Sequence, residues 1–304
     1  MRAARSPRHP LYYWAQHEVP GQPCDDFKDA SVTRPTTQLI WFLLGTLLAA
    51  IPATIPIRAA AIFVGNPHSI GKYSTGGKTA NPALIRGLHM AFGIAVAGNR
   101  LFVANENSGT IGEYTTTGRV INARLISGLH GPAGIAVEGH VLFVANYRAG
   151  TIGKYTTAGQ TINARLISNL HGPDGIAVTG DDLLVVNFGA GTIGKYTTAG
   201  RVIDAVLVAG LAGPNGIAVW GHEFFVANDG PGTIGKYTTA GQVINASLVS
   251  GLHDPFGMAV WRDDLFVVGE HHGGAIGEYT ITGRAVNPRL IIHLHYPGFV
   301  AVGR

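Results

Sequence analysis

The nine residues TIGKYTTAG occur three times in this chain, at 151–159, 192–200 and 233–241, each copy 41 residues after the last. Related copies continue on both sides, so that five full repeats begin at residues 87, 128, 169, 210 and 251. A fixed period of about 40 residues is the signature of a repeat architecture in which each copy is one supersecondary unit. This repeat constrains the fold more than any other feature of the sequence.

Each copy contains four short runs separated by turn residues. In the copy that begins at Gly128 the runs read GIAV, VLFVAN, TIGKYTT and INARLIS. They are rich in β-branched and aromatic residues and are bounded by Gly or Asn, which is typical of strands. Four strands in about 40 residues predict one blade of a β-propeller.

The two ends of the repeat array supply one further blade between them. Residues 61–86 contain the second, third and fourth strands of a copy but no first, and residues 293–304 contain a first strand only. We therefore predict an all-β fold over residues 62–304, a six-bladed β-propeller with four antiparallel strands per blade. The C-terminal strand closes it by joining the N-terminal blade, with residues 299–302 beside residues 63–64.

The charge of the chain gives no indication of a nucleic-acid partner. Of the 22 Lys/Arg and 18 Asp/Glu, six and four lie in residues 1–58, which leaves 16 and 14 for the predicted propeller. A body with a net charge of +2 has no obvious electrostatic footprint for a phosphate backbone. Cys24 is the only cysteine, so no intrachain disulfide can form.

Residues 32–61 have the pattern of an export segment. Residues 39–57 carry no charge, Arg34 precedes them, and small residues follow at 59–61. Pro52 and Pro56 interrupt the apolar run, which favours a cleaved signal peptide, with an uncleaved membrane anchor as the alternative. Residues 1–31 are polar and aperiodic, and we interpret them as disordered or as preceding a true start near Val32. We expect the propeller to lie outside the cytoplasm, with membrane contact only through an uncleaved N-terminal segment.

The blade motifs GPxGIAV, LFVAN and GTIGKY together resemble the NHL repeat and the six-bladed propellers of the SMP-30/gluconolactonase group. IGKYTTAG also resembles blades of the virginiamycin B lyase group, whose propellers usually have seven blades. The resemblance covers residues 61–304 and implies architecture more than activity, because such blades occur in enzymes, ligand binders and protein-interaction platforms.

Residues that recur in every blade are interpreted as structural, and departures from the repeat as functional candidates. We expect the GLH histidines to cap the loops that lead into each blade, the Asn of VAN to satisfy loop backbone groups, and the third-strand charges to lie on a solvated outer face. The three sets are His89, His130, His171, His253 and His295; Asn66, Asn105, Asn146, Asn187 and Asn228; and Lys72, Glu113, Lys154, Lys195, Lys236 and Glu278.

The variable residue of GPxG changes chemistry around the ring, and we expect it near the mouth of the central channel. In blade order it is Phe92, Ala133, Asp174, Asn215, Phe256 and Gly298. Phe92 and Phe256 are candidate binding residues. PDG and PNG, at Asp174 and Asn215, resemble metal-ligand motifs of the gluconolactonase group, which implies a divalent cation such as Ca²⁺ or Mg²⁺ completed by a Glu from another blade. No EGP-like motif supplies that Glu here, and a hydrogen-bonded turn is the alternative.

One loop departs from the repeat. VVGEHHGGAIG replaces VANYRAGTIG, gains one residue, and contains Glu270, His271 and His272. Carboxylate and imidazole groups are common ligands and acid–base groups, so Glu270 and His272 are catalytic candidates and His271 is a binding candidate. In the virginiamycin B lyase group a Glu and a His near the channel are catalytic and metal-binding, which the resemblance implies here without a residue-by-residue match. An exposed polar loop is the alternative.

Trp220 and Trp261 end the first strands of adjacent blades, on the opposite face. They are candidates for a patch that binds a sugar or a protein partner, with a cover over the floor of their blades as the alternative. The sequence contains no phosphate-cradling loop, no Cys/His zinc spacing and no Gly-x-Ser-x-Gly elbow, which argues against covalent serine or cysteine catalysis.

Two functions stay open from the sequence. The first is an exported, monomeric binding module that takes a protein or a glycan through its upper loops. The second is a metal-dependent hydrolase or lyase of the gluconolactonase or streptogramin-lyase kind, with Asp174, Asn215, Glu270 and His272 in its site. Near-identical blades favour the first, because regularity leaves few unique catalytic groups.

Overall fold

The structure, a computed structural model, describes residues 60–270 and 274–303, so the predictions for residues 1–59 lie outside the described residues. It consists of six four-stranded antiparallel sheets, as the repeat predicted. Within the described ranges the only helix is a single 3-10 turn, Phe188–Ala190, which is far too short to cross a bilayer.

Each sheet is one blade, and its strands follow one another from the inside of the ring to the outside. Blade 1 combines β24 (Val300–Gly303) with β1 (Ala61–Asn66), β2 (Ser69–Ser74) and β3 (Thr79–Arg86). Blade 2 contains β4 (Ala91–Ala97), β5 (Arg100–Asn105), β6 (Thr110–Thr115) and β7 (Val120–Ile126). Blade 3 contains β8 (Pro132–Glu138), β9 (Val141–Asn146), β10 (Thr151–Thr156) and β11 (Thr161–Ile167).

The other three blades repeat this order. Blade 4 contains β12 (Pro173–Thr179), β13 (Asp182–Asn187), β14 (Thr192–Thr197) and β15 (Val202–Val208). Blade 5 contains β16 (Pro214–Trp220), β17 (Glu223–Asn228), β18 (Thr233–Thr238) and β19 (Val243–Val249). Blade 6 contains β20 (Met258–Trp261), β21 (Asp264–Glu270), β22 (Ala275–Thr280) and β23 (Ala285–Ile291).

The two ends of the array clasp in blade 1, and this closes the ring. Val300 pairs with Val64, and the antiparallel register continues to Gly303 opposite Ala61. Gly65 N–H donates to the carbonyl oxygen of Phe299 at 3.0 Å. The predicted closure is confirmed and extends two residues further along β1. Without β24, the row of backbone groups on β1 would be an open edge.

The core lies between blades, because the second strand of each blade is buried on both of its faces. In β5, Leu101 and Val103 pack with residues of blade 1, whereas Phe102 and Ala104 pack towards blade 3. Alternation along a strand sends neighbouring side chains to opposite faces, so one run, LFVA, fills two interblade layers. This is why the second strand is a continuous apolar run rather than an alternating one.

The outer strand of every blade is an exposed edge that carries a β-bulge. The register between third and outer strand shifts in each blade, for example between Ile152 and Lys154. Next to the bulge an Asn or Asp side chain accepts the N–H two residues ahead, as Asn163 does from Arg165 at 3.0 Å. Bulges and charges at an edge disfavour pairing with a further strand, so the ring ends cleanly at its rim.

The prediction that the third-strand charges lie on a solvated outer face is wrong. These side chains are buried or half-buried between blades. The Lys72 ammonium donates to the carbonyl oxygen of Thr116 in the next blade at 2.9 Å, and Lys154 does the same to Thr198 at 2.9 Å. Each lysine also lies over a Phe ring of its own blade; the Lys72 nitrogen is 5.5 Å from the Phe63 centroid. The long alkyl chain is buried while the ammonium reaches a backbone acceptor, so Lys72 and Lys154 connect neighbouring blades.

Candidate functional site

We call the upper face the side on which second strands end and the chain crosses into the next blade. Backbone hydrogen bonds hold these two kinds of segment together. Tyr147 N–H in the turn after β9 donates to Gly131 at 2.8 Å, and Leu129 N–H donates to Gly109 of the preceding blade at 3.0 Å. The upper face is therefore a continuous layer in which each blade's turn is braced by two crossovers.

The variable GPxG residues form the innermost ring of this face. The Gly that follows each of them allows a very close approach, since a Cβ at Gly134 would overlap the carbonyl oxygen of Asp174, and one at Gly175 that of Asn215. This contact recurs around the ring and gathers the six variable residues at the axis. The sequence prediction of their location near the channel is consistent with this geometry.

On one side of the axis the ring is aromatic. The centroid of Phe92 lies 5.1 Å from that of Phe256 in an edge-to-face arrangement, and Phe299 lies 5.9 Å and 5.5 Å from the two. Phe299 occupies the position that Gly holds in the other blades. All three rings are buried. The structure thus places Phe92 and Phe256 in a cluster that plugs the axis, and their role in ligand binding stays a prediction.

On the other side the ring is polar. Asp174 and Asn215 come from neighbouring blades and are both fully buried, at 0% exposure. Neither the Oδ1 nor the Nδ2 atom of Asn215 has a hydrogen-bond partner within the part of the chain that the structure describes. A buried amide without a partner is costly, about 1–3 kcal/mol, and such a group needs a reason to persist.

The Asp174 and Asn215 side chains offer a carboxylate and an amide oxygen, the donor chemistry that Ca²⁺ and Mg²⁺ prefer. Among the side chains that the structure describes, which do not include that of Glu270, no group of three or more His, Cys, Asp or Glu residues is arranged to hold a metal ion. A cation here would take its remaining ligands from water, substrate or side chains outside that group. The metal site stays a prediction with two compatible donors.

A second set of changing residues lies on the upper face, directly after the Asn near the end of the second strand in blades 1 to 5 and after Gly269 in blade 6. In blade order the position reads Pro67, Glu106, Tyr147, Phe188, Asp229 and Glu270. The Glu106 side chain is almost fully buried and accepts from the half-exposed Arg148 guanidinium of blade 3 at 2.6 Å. Tyr147 and Phe188 lie 6.4 Å apart between ring centroids.

The sequence analysis singled out only Glu270 of this set and missed the other five, Pro67, Glu106, Tyr147, Phe188 and Asp229. The signal that could have found them is present: the position changes in every copy while the Asn before it is nearly constant. The variation at this position is hard to see in the sequence, because the turn that contains it also differs in length between blades.

The departing loop of blade 6 lies on this upper face. β21 ends at Glu270, whose backbone pairs with Ala275, and His253 N–H donates to the carbonyl of Gly269 at 2.9 Å. The Glu270 side chain and residues 271–273 lie outside what the structure describes. The face on which Glu270 begins its loop is the one that contains Asp174 and Asn215; the roles of Glu270, His271 and His272 stay predictions.

The recurring upper-face residues have mainly structural contacts. The Asn side chains are buried, and Asn146 Nδ2 donates to Thr151 Oγ1 at 3.4 Å. The crossover histidines contribute backbone hydrogen bonds, as when the carbonyl of His89 accepts from Asn107 N–H at 3.3 Å. Their side chains are exposed.

Trp220 and Trp261 end their inner strands on the lower face, as expected. Trp220 is 37% exposed, and Lys236 Nζ lies 6.0 Å from its ring. Trp261 is half-buried. A binding role for the pair stays a prediction.

Two kinds of group have displaced pKa values. Burial raises the pKa of the tyrosine in the third strand of five blades, Tyr73, Tyr114, Tyr155, Tyr196 and Tyr237. Burial, and then the negative charge of Asp264, raises the pKa of Glu278. The Tyr shifts keep those phenols neutral at any ordinary pH, whereas Glu278 lies near the lower face, away from the candidate site.

The fold is a six-bladed propeller whose upper-face residues near the axis differ from blade to blade. Residues 63–279 match the model of the virginiamycin B lyase family. Since the match covers more than half of the sequence, the chain belongs to that family. A search of curated proteins finds no significant match.

Three solved structures show the same fold at low identity. Nidogen, from a nidogen/laminin complex, has a TM-score of 0.71 at 14% identity, over 81% of this chain and 99% of that one. A catalytically inactive His→Ala variant of Staphylococcus aureus virginiamycin B lyase with quinupristin has a TM-score of 0.56 at 18% identity, over 69% of this chain and 73% of that one. A Xanthomonas campestris gluconolactonase has a TM-score of 0.57 at 16% identity, over 69% of this chain and 78% of that one.

Proposed function

We propose that this protein is an exported binding module that takes a protein partner on the upper face of its propeller. The observation that carries the proposal is the set of residues after the second strands, where charged and aromatic residues replace one another from blade to blade while the Asn before them recurs in five blades. Nidogen, whose structure was solved with laminin, supports a protein as the partner. Residues 39–57 support export.

Tyr147, Arg148 and Asp229 are the residues to test, because they are not fully buried and differ from blade to blade. Aromatic and Arg side chains are over-represented at binding hot spots, where truncation costs about 2 kcal/mol or more. We expect Tyr147→Ala with Asp229→Ala to abolish capture of partners that cross-link to the wild type in culture supernatant, as quantified by mass spectrometry.

Lower-face residues supply the control. His140→Ala with His222→Ala alters two exposed hairpin residues on the far side and should retain the same partners. If both double variants capture the same proteins, the upper face is not the recognition surface. Loss of captured glycans instead of proteins would favour the glycan alternative. N-terminal sequencing of the secreted protein tests export separately.

The second candidate function is a metal-dependent lyase or hydrolase, and family membership specifically favours it. Asp174 and Asn215 would hold the cation, which when bound would polarise a carbonyl oxygen of the substrate. Glu270 and His272 would move a proton at the reacting group. The aromatic cluster would exclude water on the opposite side of the axis.

Metal content and turnover test this candidate. If it is right, Mg²⁺ or Ca²⁺ raises the melting temperature, Asn215→Leu removes that shift, and quinupristin or a simple lactone is consumed by the wild type but not by His272→Ala. An unchanged melting temperature with either ion, together with no turnover, eliminates it. The binding proposal stands or falls on the capture experiment alone.

A further inference from the structure

Charge is distributed unevenly between the outside of the propeller and the rest. We define the outer wall as the six outer strands, β3, β7, β11, β15, β19 and β23, with the residue that precedes each. The wall contains eight Lys/Arg and one acidic residue, Asp204, whereas the remainder of residues 59–304 contains eight Lys/Arg and thirteen Asp/Glu. A nearly neutral total therefore conceals a cationic wall.

The cations are concentrated on three consecutive blades. The wall of blades 6, 1 and 2 contains six exposed basic residues and no acidic one; the six are Arg284, Arg289, Lys78, Arg86, Arg119 and Arg124. The wall of blades 3, 4 and 5 contains Arg165 and Arg201 against Asp204. We call the first of these surfaces the basic wall.

Contacts between blades make the basic wall continuous. A Cβ at Gly77, in the hairpin of blade 1, would lie 3.0 Å from Cδ1 of Leu290, which follows Arg289 in blade 6. A Cβ at Gly118 of blade 2 would lie 2.9 Å from Cδ1 of Leu84 in blade 1. Each hairpin thus packs on the outer strand of the blade before it, and the cations of the three blades share one surface.

Aliphatic side chains lie exposed among these cations. Val120 is 56% exposed, Ile121 43% and Val286 45%; the outer strands of blades 3, 4 and 5 expose aliphatic side chains as well, but with few cations among them. A soluble polyanion would neutralise the arginines but leave these side chains in water. A lipid surface accommodates both, with headgroups for the cations and the acyl boundary for the aliphatic groups.

We propose that the basic wall docks on an anionic lipid surface. This goes beyond the proposed function, and it replaces the expectation that only an uncleaved N-terminal segment meets the membrane. The wall runs around the side of the ring, so docking there leaves the upper face open to its partner. The attraction is electrostatic and therefore weakens with salt.

Co-sedimentation of the full chain with vesicles tests the proposal. The probes are vesicles of phosphatidylcholine with about 30% phosphatidylglycerol and vesicles of phosphatidylcholine alone, in low and high salt. We expect stronger binding to the anionic vesicles, lost in high salt. Each basic residue near the surface contributes about fivefold to partitioning, so Arg119→Gln with Arg284→Gln should weaken it about 25-fold.

A matched variant removes two charges from the other half of the wall. Arg165→Gln with Arg201→Gln should change partitioning by less than about threefold, because those residues lie outside the basic wall. Val120→Ser with Ile121→Ser should also weaken binding to anionic vesicles. Melting temperatures of all variants verify folding. Any binding through residues 39–57 appears on both vesicle types, resists salt and is equal in all variants.

Three results would overturn the proposal. One is the absence, in the wild type, of a salt-sensitive component of binding that is stronger on the anionic vesicles. Another is equal loss in the two arginine variants. The third is binding to heparin that displaces the vesicles while the serine variant binds as the wild type does, which would make the wall a polyanion site.

Discussion

The two halves of the ring differ although they are built from one repeat. The closing half, blades 6, 1 and 2, has an aromatic plug at the axis, made by Phe92, Phe256 and Phe299, and a basic outer wall. The regular half, blades 3, 4 and 5, has the buried polar residues Asp174 and Asn215 at the axis and a nearly neutral wall. The difference shows that repetition fixes the backbone, and that individual positions within it are free to diverge.

The two halves also differ in what their axial residues contribute to stability. Where the chain ends meet, apolar burial at the axis stabilises a junction that has no covalent continuity. In the regular half the backbone is continuous from blade to blade, and that half can tolerate a buried polar pair with a stability cost. Each of the following changes tests one side of this division.

Removal of residues 299–304 should have the largest effect. It deletes β24 and the buried side chains of Phe299 and Val300, worth about 1.5–3 kcal/mol each, from a protein whose net stability is of the order of 5–15 kcal/mol. Urea unfolding should show loss of the cooperative transition, or aggregation through the exposed edge of β1. A truncated chain that melts at the wild-type temperature would falsify the closed ring.

Phe256→Ala should have the next largest effect and lower the free energy of unfolding by about 3–5 kcal/mol, because a cavity between Phe92 and Phe299 replaces a fully buried ring. Equilibrium urea unfolding measures it. Phe256→Leu, which retains most of the apolar volume, serves as the control and should lose less. A loss below about 1 kcal/mol for the alanine variant would contradict a close-packed plug.

Asn215→Leu should raise the stability of the protein, whereas the two preceding changes lower it. It removes a buried amide that has no partner among the described residues and keeps the branched shape of the side chain, so metal-free protein should gain up to about 1–3 kcal/mol of unfolding free energy. Phe92→Leu, at the corresponding position of the closing half, should lose stability. If Asn215→Leu is destabilised instead, the site does not accept an apolar side chain and the regular half is not the tolerant one.

Substitutions of Glu278 in the closing half and of Lys236 in the regular half should have the smallest effect on stability. In blade 5 the carboxylate of Glu223 lies 2.7 Å from Lys236 Nζ, whereas in blade 6 Asp264 faces Glu278. The raised pKa of Glu278 means that the folded protein favours its protonated form. The contribution of this group to stability is therefore present below its ordinary pKa and is lost as the pH rises through the folded value.

Reciprocal variants test this pair by thermal melting. Glu278→Gln should melt higher than the wild type at pH 7, and the difference should shrink as the pH falls towards 4, since the wild-type carboxyl is then protonated. Glu278→Lys should melt higher still at pH 7. Lys236→Glu should lower the melting temperature at pH 7 and acquire the pH dependence that Glu278→Gln lost. A difference for Glu278→Gln that is constant with pH would refute the assignment.

Much of the fold was predictable from particular residues. The partial copies at the two ends predicted the clasp, and Val300 does pair with Val64. The axial position of Asp174 and Asn215 followed from the GPxG motif. The third-strand charge was misjudged because a strand with one polar residue in two normally has a solvated face, whereas in a propeller the blades cover both faces. Lys72 reaches Thr116 across 44 residues of sequence, a partner that no local pattern indicates.

The sequence by itself determined the number of blades, their four strands and the way the ring closes, because these follow from a period and from strand-sized apolar runs. Only the tertiary structure decided which residues share a surface. It brought Phe92, Phe256 and Phe299 together from positions far apart in the chain, and it sorted near-neutral charge into a basic wall and an acidic remainder. The reason is geometric: a period fixes what each copy becomes, while circular closure fixes which copies are neighbours.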